Sequence, residues 1–325
     1  HLNNLNQLPP SVLQEFGRNL TNPIRSPADA AKNGIRYPFP GFQGTVAGAL
    51  RQYPQVQGTA TVAVAATPLG FSTTHSLQVV LDKRLSRGLN AYINYTWQKT
   101  LTNVDSAKDR QTNVARPLDT YNLKLEKSLA SYDVPHMFKA YVAYELPVGR
   151  RKALWGSAGR FANAIVGGWS VAAILNYMSG LPLIFSGASW PLGWNGATQR
   201  IDLLPGQMKN VSFKKGNFDF WNPSASGNTY LNKAVYADVT DQRLGTAAPC
   251  YAQARGFGTI SEDFGLQKNH YFAEKYRFQI RAEFLNLFNR HYLGNPVTNI
   301  KDPLFGQVTS VWGNRSIQIG ARFDF

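Results

Sequence analysis

The clearest periodicity in the chain lies at 276–284, where Tyr276, Phe278, Ile280, Ala282 and Phe284 interleave with Arg277, Gln279, Arg281 and Glu283. Successive side chains of a strand point to opposite faces, so this segment meets an apolar phase on one side and water on the other. The end of the chain repeats the pattern to its final residue, with Ile317, Ile319, Ala321, Phe323 and Phe325 set against Ser316, Gln318, Gly320, Arg322 and Asp324. Leu89, Ala91, Ile93, Tyr95 and Trp97 alternate with Asn90, Tyr92, Asn94 and Thr96, and the preceding run 75–85 joins them through Ser86-Arg87-Gly88 as a hairpin. Further strands are predicted at 137–146, 169–177 and 262–270, the last followed by a short turn at 273–275. A soluble sandwich would give the same alternation. Ionised Arg277, Arg281 and Glu283 on the polar side instead suit a hydrated lumen, which marks them as lumen-facing in a membrane barrel.

No residue from 161 to 199 is charged, yet Gly167, Gly168, Asn176, Gly180 and Pro182 interrupt the stretch. Its longest clean apolar piece is far short of the roughly 20 residues that a membrane-spanning helix requires, whereas a tilted strand needs about 10. Counted this way the chain holds about seven spanning strands. Their connections fall into two classes. Those near 86–88, 147–168 and 272–274 are mostly short, and those near 100–134, 183–261 and 287–314 are long. Membrane barrels show this asymmetry, with short periplasmic turns and long outer loops. The fold class expected is therefore all-β: the C-terminal part of an antiparallel transmembrane β-barrel, with 1–73 an extracellular loop region and 74–325 the barrel strands. Seven strands are odd in number and too few to close, and an open edge in lipid leaves backbone groups unpaired, so the pairing strands are expected from sequence outside this one or from another subunit.

Composition agrees with this picture. Charged residues are only 16% of the chain, against roughly 25% in soluble domains. Aromatics reach 13%, as interfacial girdles require, and Trp97, Trp169, Tyr141, Tyr144, Tyr276 and Tyr292 are the girdle candidates. The formal charge of +15 raises nucleic acid as a partner, but the cations sit at turns and loops without a nucleic-acid motif, and phosphates of lipopolysaccharide or a solvated rim account for them equally well. The single cysteine, Cys250, excludes an intrachain disulfide. Residues 1–30 lack the charged start and apolar core of a signal peptide.

At the level of short motifs the chain resembles the C-terminal barrel of TonB-dependent receptors. The resemblance rests on 281–289 (RAEFLNLFN), 95–99 (YTWQK), 144–149 (YELPVG), 179–182 (SGLP) and 37–42 (YPFPGF). It is strongest to the Oar-like receptors that carry a carboxypeptidase-regulatory-like domain and are abundant in Acidobacteria. The resemblance implies a bacterial outer-membrane barrel of about 22 strands around a plug, importing a large or scarce solute with energy delivered by TonB through the missing N-terminal region; the plug domain is absent from these residues. It also implies that the terminal Ile317, Ile319, Phe323 and Phe325 act as the signal read by the barrel-assembly machinery.

No catalytic constellation emerges. His1, His75, His136, His270 and His291 lack metal-ligand spacing, the serines lack a nucleophile elbow, and neither an enzyme activity nor a cofactor is expected. The long loop 183–261 is rich in aromatics, which argues against disorder, and Trp190, Trp194, Trp221, Tyr230 and Tyr251 are its candidate contacts to an unknown solute ligand. Two rival readings remain: a surface-display or adhesion barrel without transport, and a soluble β-sandwich that binds anionic glycans. The sandwich would need its apolar strand faces buried against each other.

Overall fold

The computed structural model describes residues 3–56, 62–64, 68–104, 117–196, 198–272 and 276–325. The turn expected at 273–275 and His1 lie outside the described residues. One antiparallel sheet carries the long strands β1 (Ser72–Ser86), β2 (Leu89–Thr102), β3 (His136–Glu145), β4 (Trp169–Met178), β5 (Thr259–Phe272), β6 (Tyr276–Leu285) and β7 (Ser316–Asp324). Each pairs with its neighbours in sequence, giving an up-and-down meander. Among the described residues β1 and β7 each keep one unpaired edge, so the sheet stays open.

Register carries the alternation from strand to strand. Directly opposed residues share a face, and Ile319 opposes Ala282, which opposes Leu266, then Val171, Tyr144 and Leu89. One face is thereby apolar across the sheet. The other carries Gln318, Glu283, Gly265, Ala172, Ala143 and Asn90 in the adjoining row. Arg277 pairs there with Asp324 at 2.6 Å and Arg281 with Glu283 at 3.6 Å. Tyr141 opposes Tyr92 and Ile174, which puts it on this second face. It therefore cannot join an apolar-face girdle, because strand parity and not nearness to a strand end decides which side a ring takes.

Among the described residues most of the apolar face is uncovered. Ile319 is 77% exposed, and Leu81, Ile280, Ile317 and Phe323 are exposed with it. A sandwich would bury these side chains against a second sheet, so the soluble-sandwich reading fails on this point. The β1–β2 turn is local chemistry: Arg87 and Gly88 both have positive φ, 53° and 81°, the two-residue turn whose twist matches paired strands. A Cβ on Gly88 would come within 2.9 Å of the Glu145 carbonyl oxygen.

The two ends of the sheet differ. The connections 87–88 and 146–168 lie at one end with Phe272 and Tyr276, and the described parts of 103–135, 179–258 and 286–315 at the other. The N-terminal segment, expected as a loop region, holds helices α1 (Pro10–Phe16), α2 (Pro27–Lys32) and α3 (Val46–Ala49) around a small core of Leu8, Leu13, Leu20, Ile24, Phe42 and Val46. Its helix starts are encoded locally. The Ser26 hydroxyl accepts from the Asp29 N–H at 3.2 Å, and Pro27 opens α2, the residue types that satisfy or forgo the free amides of a first turn.

Ile319→Arg sets a charge on the apolar face near mid-strand and is expected to cost about 2–4 kcal/mol in a bilayer, whereas Gln318→Arg on the opposite face is expected to cost less than about 1 kcal/mol. Urea unfolding of the full-length protein in lipid vesicles, followed by tryptophan fluorescence, checks the difference; equal costs would mean that neither face meets lipid.

Candidate functional site

The long connections fold into a body at one end of the sheet. A core of Leu183, Ile201, Leu231, Val235, Tyr236, Phe305 and Val308 joins the connections 179–258 and 286–315. Trp194 reaches from 179–258 into the core of the N-terminal segment. Its neighbour Asn195 completes the join, accepting from the Leu8 N–H at 3.0 Å and donating to the Asn6 carbonyl at 2.5 Å. Buried Gln7 ties the same segment to the first long connection, donating to the Leu118 carbonyl at 2.9 Å and accepting from the Thr120 N–H at 2.9 Å.

Arginine–carboxylate pairs lock these segments together. Arg255 meets the Asp133 carboxylate at 2.5 Å and also donates to the carbonyls of Asp133 and Gly180. Asp133 in turn accepts from the Thr100 N–H at 2.7 Å, so one buried cluster joins β2 and two long connections. Arg200 meets Glu126 at 2.5 Å, both side chains almost fully buried; burial lowers the Arg200 pKa against the opposing pull of Glu126. Arg290 forks onto Glu262 through Nε and Nη2, at 2.7 and 2.8 Å. The Arg243 guanidinium donates to Asp202 and holds its carboxyl below the usual range. Sequence reading missed all four, since partners such as Asp133 and Arg255 are 122 positions apart and no spacing rule links them.

The body carries two adjoining clefts. One, of about 650 Å³, is lined by Asp119, Lys124, Lys127, Arg243 and Tyr251 among others. The other, of about 610 Å³, is lined by Met208, Lys209, Val211, Tyr251 and Gln253. Tyr251 belongs to both, its hydroxyl accepting from the Ala248 N–H at 2.6 Å. Burial raises the Asp119 pKa and lowers that of Lys209, the latter helped by Arg255. Each change makes the neutral form easier to reach, as desolvation does. Among the described residues no group of three or more His, Cys, Asp or Glu side chains is placed to hold a metal ion.

The five aromatic candidates separate. Trp221 is 89% exposed, its ring meets the exposed Phe220 ring edge-on at 5.2 Å, and Trp190 is exposed. Trp194 and Tyr230 are core residues. Tyr230 is only 7% exposed, donates to the Arg255 carbonyl at 2.6 Å, and burial pushes its phenol pKa up to about 12. These two rings hold the loops in place, while Tyr251, Trp190 and Trp221 face space that a solute could enter. Arg277, Arg281 and Glu283 lie on the polar face of the sheet.

An antiparallel meander with one uncovered apolar face, one polar face and folded loops gathered at one end defines the membrane β-barrel class of protein. The sequence profile of the family described as Outer membrane beta barrel domain matches residues 1–318. The chain belongs to that family, and its place is the bacterial outer membrane. Among solved structures it is similar to the outer membrane transporter YddB from Escherichia coli, at 10% identity and a TM-score of 0.36, over 78% of this chain and 25% of that one. The chain thus spans a quarter of the length of that structure. No curated protein matches it.

Arg255→Ala strands the Asp133 carboxylate, 1% exposed, and loss of one partner of a buried pair costs about 3–5 kcal/mol. The expected result is local: faster hydrogen exchange in 128–134, 179–183 and 250–257, with exchange in β6 and β7 unchanged. Unaltered exchange in the first three segments would show that the pair does not hold the loops.

Proposed function

We propose that the chain is the C-terminal barrel portion of a TonB-dependent outer-membrane receptor of the Oar-like group, which captures a large or scarce solute on its outer loops and passes it through a gated lumen without covalent chemistry. The observation that carries this reading is the folded long-loop body, with its two cores, buried ion pairs and solvent-accessible clefts. Loops longer than about 15 residues that are ordered by their own cores are usually functional. A plain structural barrel has no use for clefts of this size lined by cations and a tyrosine.

In this reading Arg277, Arg281 and Glu283 line the hydrated lumen, and the open edges of β1 and β7 pair with strands of the same barrel, since an unpaired edge is not tolerated in lipid. Ile317, Ile319, Phe323 and Phe325 form the terminal signature taken by the barrel-assembly machinery. Phe325 stacks on Phe323 at 6.3 Å and is itself 89% exposed, so it is open to a partner. TonB acts through the N-terminal region of the full protein, and lipid and lipopolysaccharide surround the apolar face.

Cells carrying the intact gene, cells with it deleted, and cells with the exposed Phe220 and Trp221 both replaced by serine are compared for uptake across a panel of scarce solutes, with and without a protonophore. The expected outcome is one solute whose uptake falls on deletion and on protonophore addition, with the double serine variant lowering apparent affinity. Trp221→Ala alone is expected to cost about 1 kcal/mol, roughly fivefold in half-saturation. Equal uptake in all strains, with loops still displayed at the surface, would favour a display role and contradict transport.

A further inference from the structure

The short-turn end holds one connection that is not short. Between β3 and β4 the chain inserts 146–168, which carries Arg150, Arg151, Lys152 and Arg160 and no Asp or Glu. The insert is folded. The Leu154 N–H donates to the Pro147 carbonyl at 2.8 Å, the Gly149 N–H to the Leu154 carbonyl at 2.9 Å, and the Arg150 N–H to Asn163 Oδ1 at 2.6 Å. It ends in helix α4 (Arg160–Val166), too short to persist by itself in water.

The sheet's apolar face holds that helix. Lys268 Nζ donates to the carbonyls of Ile165 and Gly167 at 3.1 and 2.6 Å, and Trp169 Nε1 donates to Ile165 at 2.9 Å. Lys268 opposes Ile280 and Trp169, so it belongs to the apolar face; its ammonium lies 5.1 Å from the Trp169 ring centre and spends its charge on the open carbonyls that end the helix. Ala164 lines a small cleft with Lys268, His270, Phe278 and Ile280. The helix therefore lies on the outside of the sheet, against the face that meets lipid, and not on the polar side.

Its free side is apolar. Phe161 is 92% exposed and Ile165, one turn on, 72% exposed, with Leu154 and Trp155 exposed beside them. Single exposed apolar residues are ordinary. A helix that presents a bare apolar side, amid cations, at the rim of a lipid-facing surface is the pattern of an interfacial membrane element. Lys152 lies 3.7 Å from Glu145, while Arg150, Arg151 and Arg160 have no ion-pair partner among the described residues.

We propose that 146–168 is an interfacial foot: Phe161 and Ile165 insert among the acyl chains of the leaflet at the short-turn end, and Arg150, Arg151 and Arg160, with Lys152, bind the phosphates of anionic phospholipid. In an outer-membrane barrel the short turns face the periplasm, so the foot grips the inner leaflet. The inference does not depend on transport and would stand if the protein served display.

The test uses the full-length protein in vesicles of phosphatidylethanolamine and phosphatidylglycerol. Single cysteines replace Phe161, Ile165 or, as an aqueous control, Ser157, and carry nitroxide labels; buried Cys250 stays, with its background read from the parent protein. Heat-dependent gel mobility reports folding of each variant separately. The expected result is a ratio of oxygen to nickel-chelate accessibility several-fold higher at Phe161 and Ile165 than at Ser157. That ratio should fall when phosphatidylcholine replaces phosphatidylglycerol, or in the folded Arg150→Gln, Arg151→Gln, Arg160→Gln variant. Equal ratios at Phe161 and Ser157 would overturn insertion, labels closed to both reagents would mean a protein cover in place of lipid, and insertion indifferent to phosphatidylglycerol would overturn the phosphate contact.

Discussion

The constraint on which this structure depends is the lack of hydrogen-bond partners in hydrocarbon. A backbone N–H or C=O left unpaired there costs several kcal/mol, so each strand must find its partners in its neighbours. The chain meets this demand in the simplest order, pairing every long strand with the next in sequence. Alternation does the rest. With register fixed, a two-residue period in the sequence becomes two continuous faces, one of Ile, Leu, Val, Ala and aromatic side chains and one that carries the amides and charges of β6 and β7 and, further across the sheet, Ala172, Ala143, Ile174 and Tyr141 as well. A slip of one residue in any strand would exchange the two, which is why the aromatic and aliphatic positions of β5, β6 and β7 agree so closely.

The long-loop body obeys the opposite rule. Outside lipid, order has to come from burial and from specific polar contacts, and the loops use both. Their cores are small, so a few buried arginines that each satisfy several acceptors do much of the joining. Arg255 alone touches a carboxylate and two carbonyls belonging to separate segments. The Arg255–Asp133 cluster holds because guanidinium and carboxylate both find several partners, and such contacts make loop geometry specific in a way that apolar contacts among Leu and Val would not. The larger cleft beside Tyr251 exists only while these joins are intact, because its walls come from the N-terminal segment and two different connections, whereas the smaller one is walled by 179–258 alone.

The strands were legible in sequence and the loops were not. The alternation at 276–284 coincides with a strand at Tyr276–Leu285, and that at 316–325 with one at Ser316–Asp324, because a period of two is a local property that lipid on one side makes strict. Strand starts were less clear: β5 begins at Thr259, ahead of the alternation read from 262, since Glu262 sits on the apolar face, where Arg290 and the Tyr177 hydroxyl satisfy it. Nothing local announces such a pairing. The same limit hid the difference between Trp221, which is exposed, and Tyr230 or Trp194, which are core. All are aromatic residues in a long loop, and only tertiary contacts distinguish a ring that packs from one that waits. Helix α4 went unseen for a related reason: its seven residues are too few for a periodic signal, and its C-terminal carbonyls are held by Trp169 and by Lys268, 101 positions from Gly167.

The central claim, that one face of this sheet meets lipid and the other water, is tested most directly by photo-crosslinking. A benzophenone amino acid is placed singly at each position of β6 in the full-length protein within native outer membranes, and crosslinked lipid is measured by mass spectrometry. The account predicts a period of two, with lipid adducts at Phe278, Ile280, Ala282 and Phe284 and few or none at Arg277, Gln279, Arg281 and Glu283. Adducts of equal yield at all positions, or confined to the second set, would contradict it.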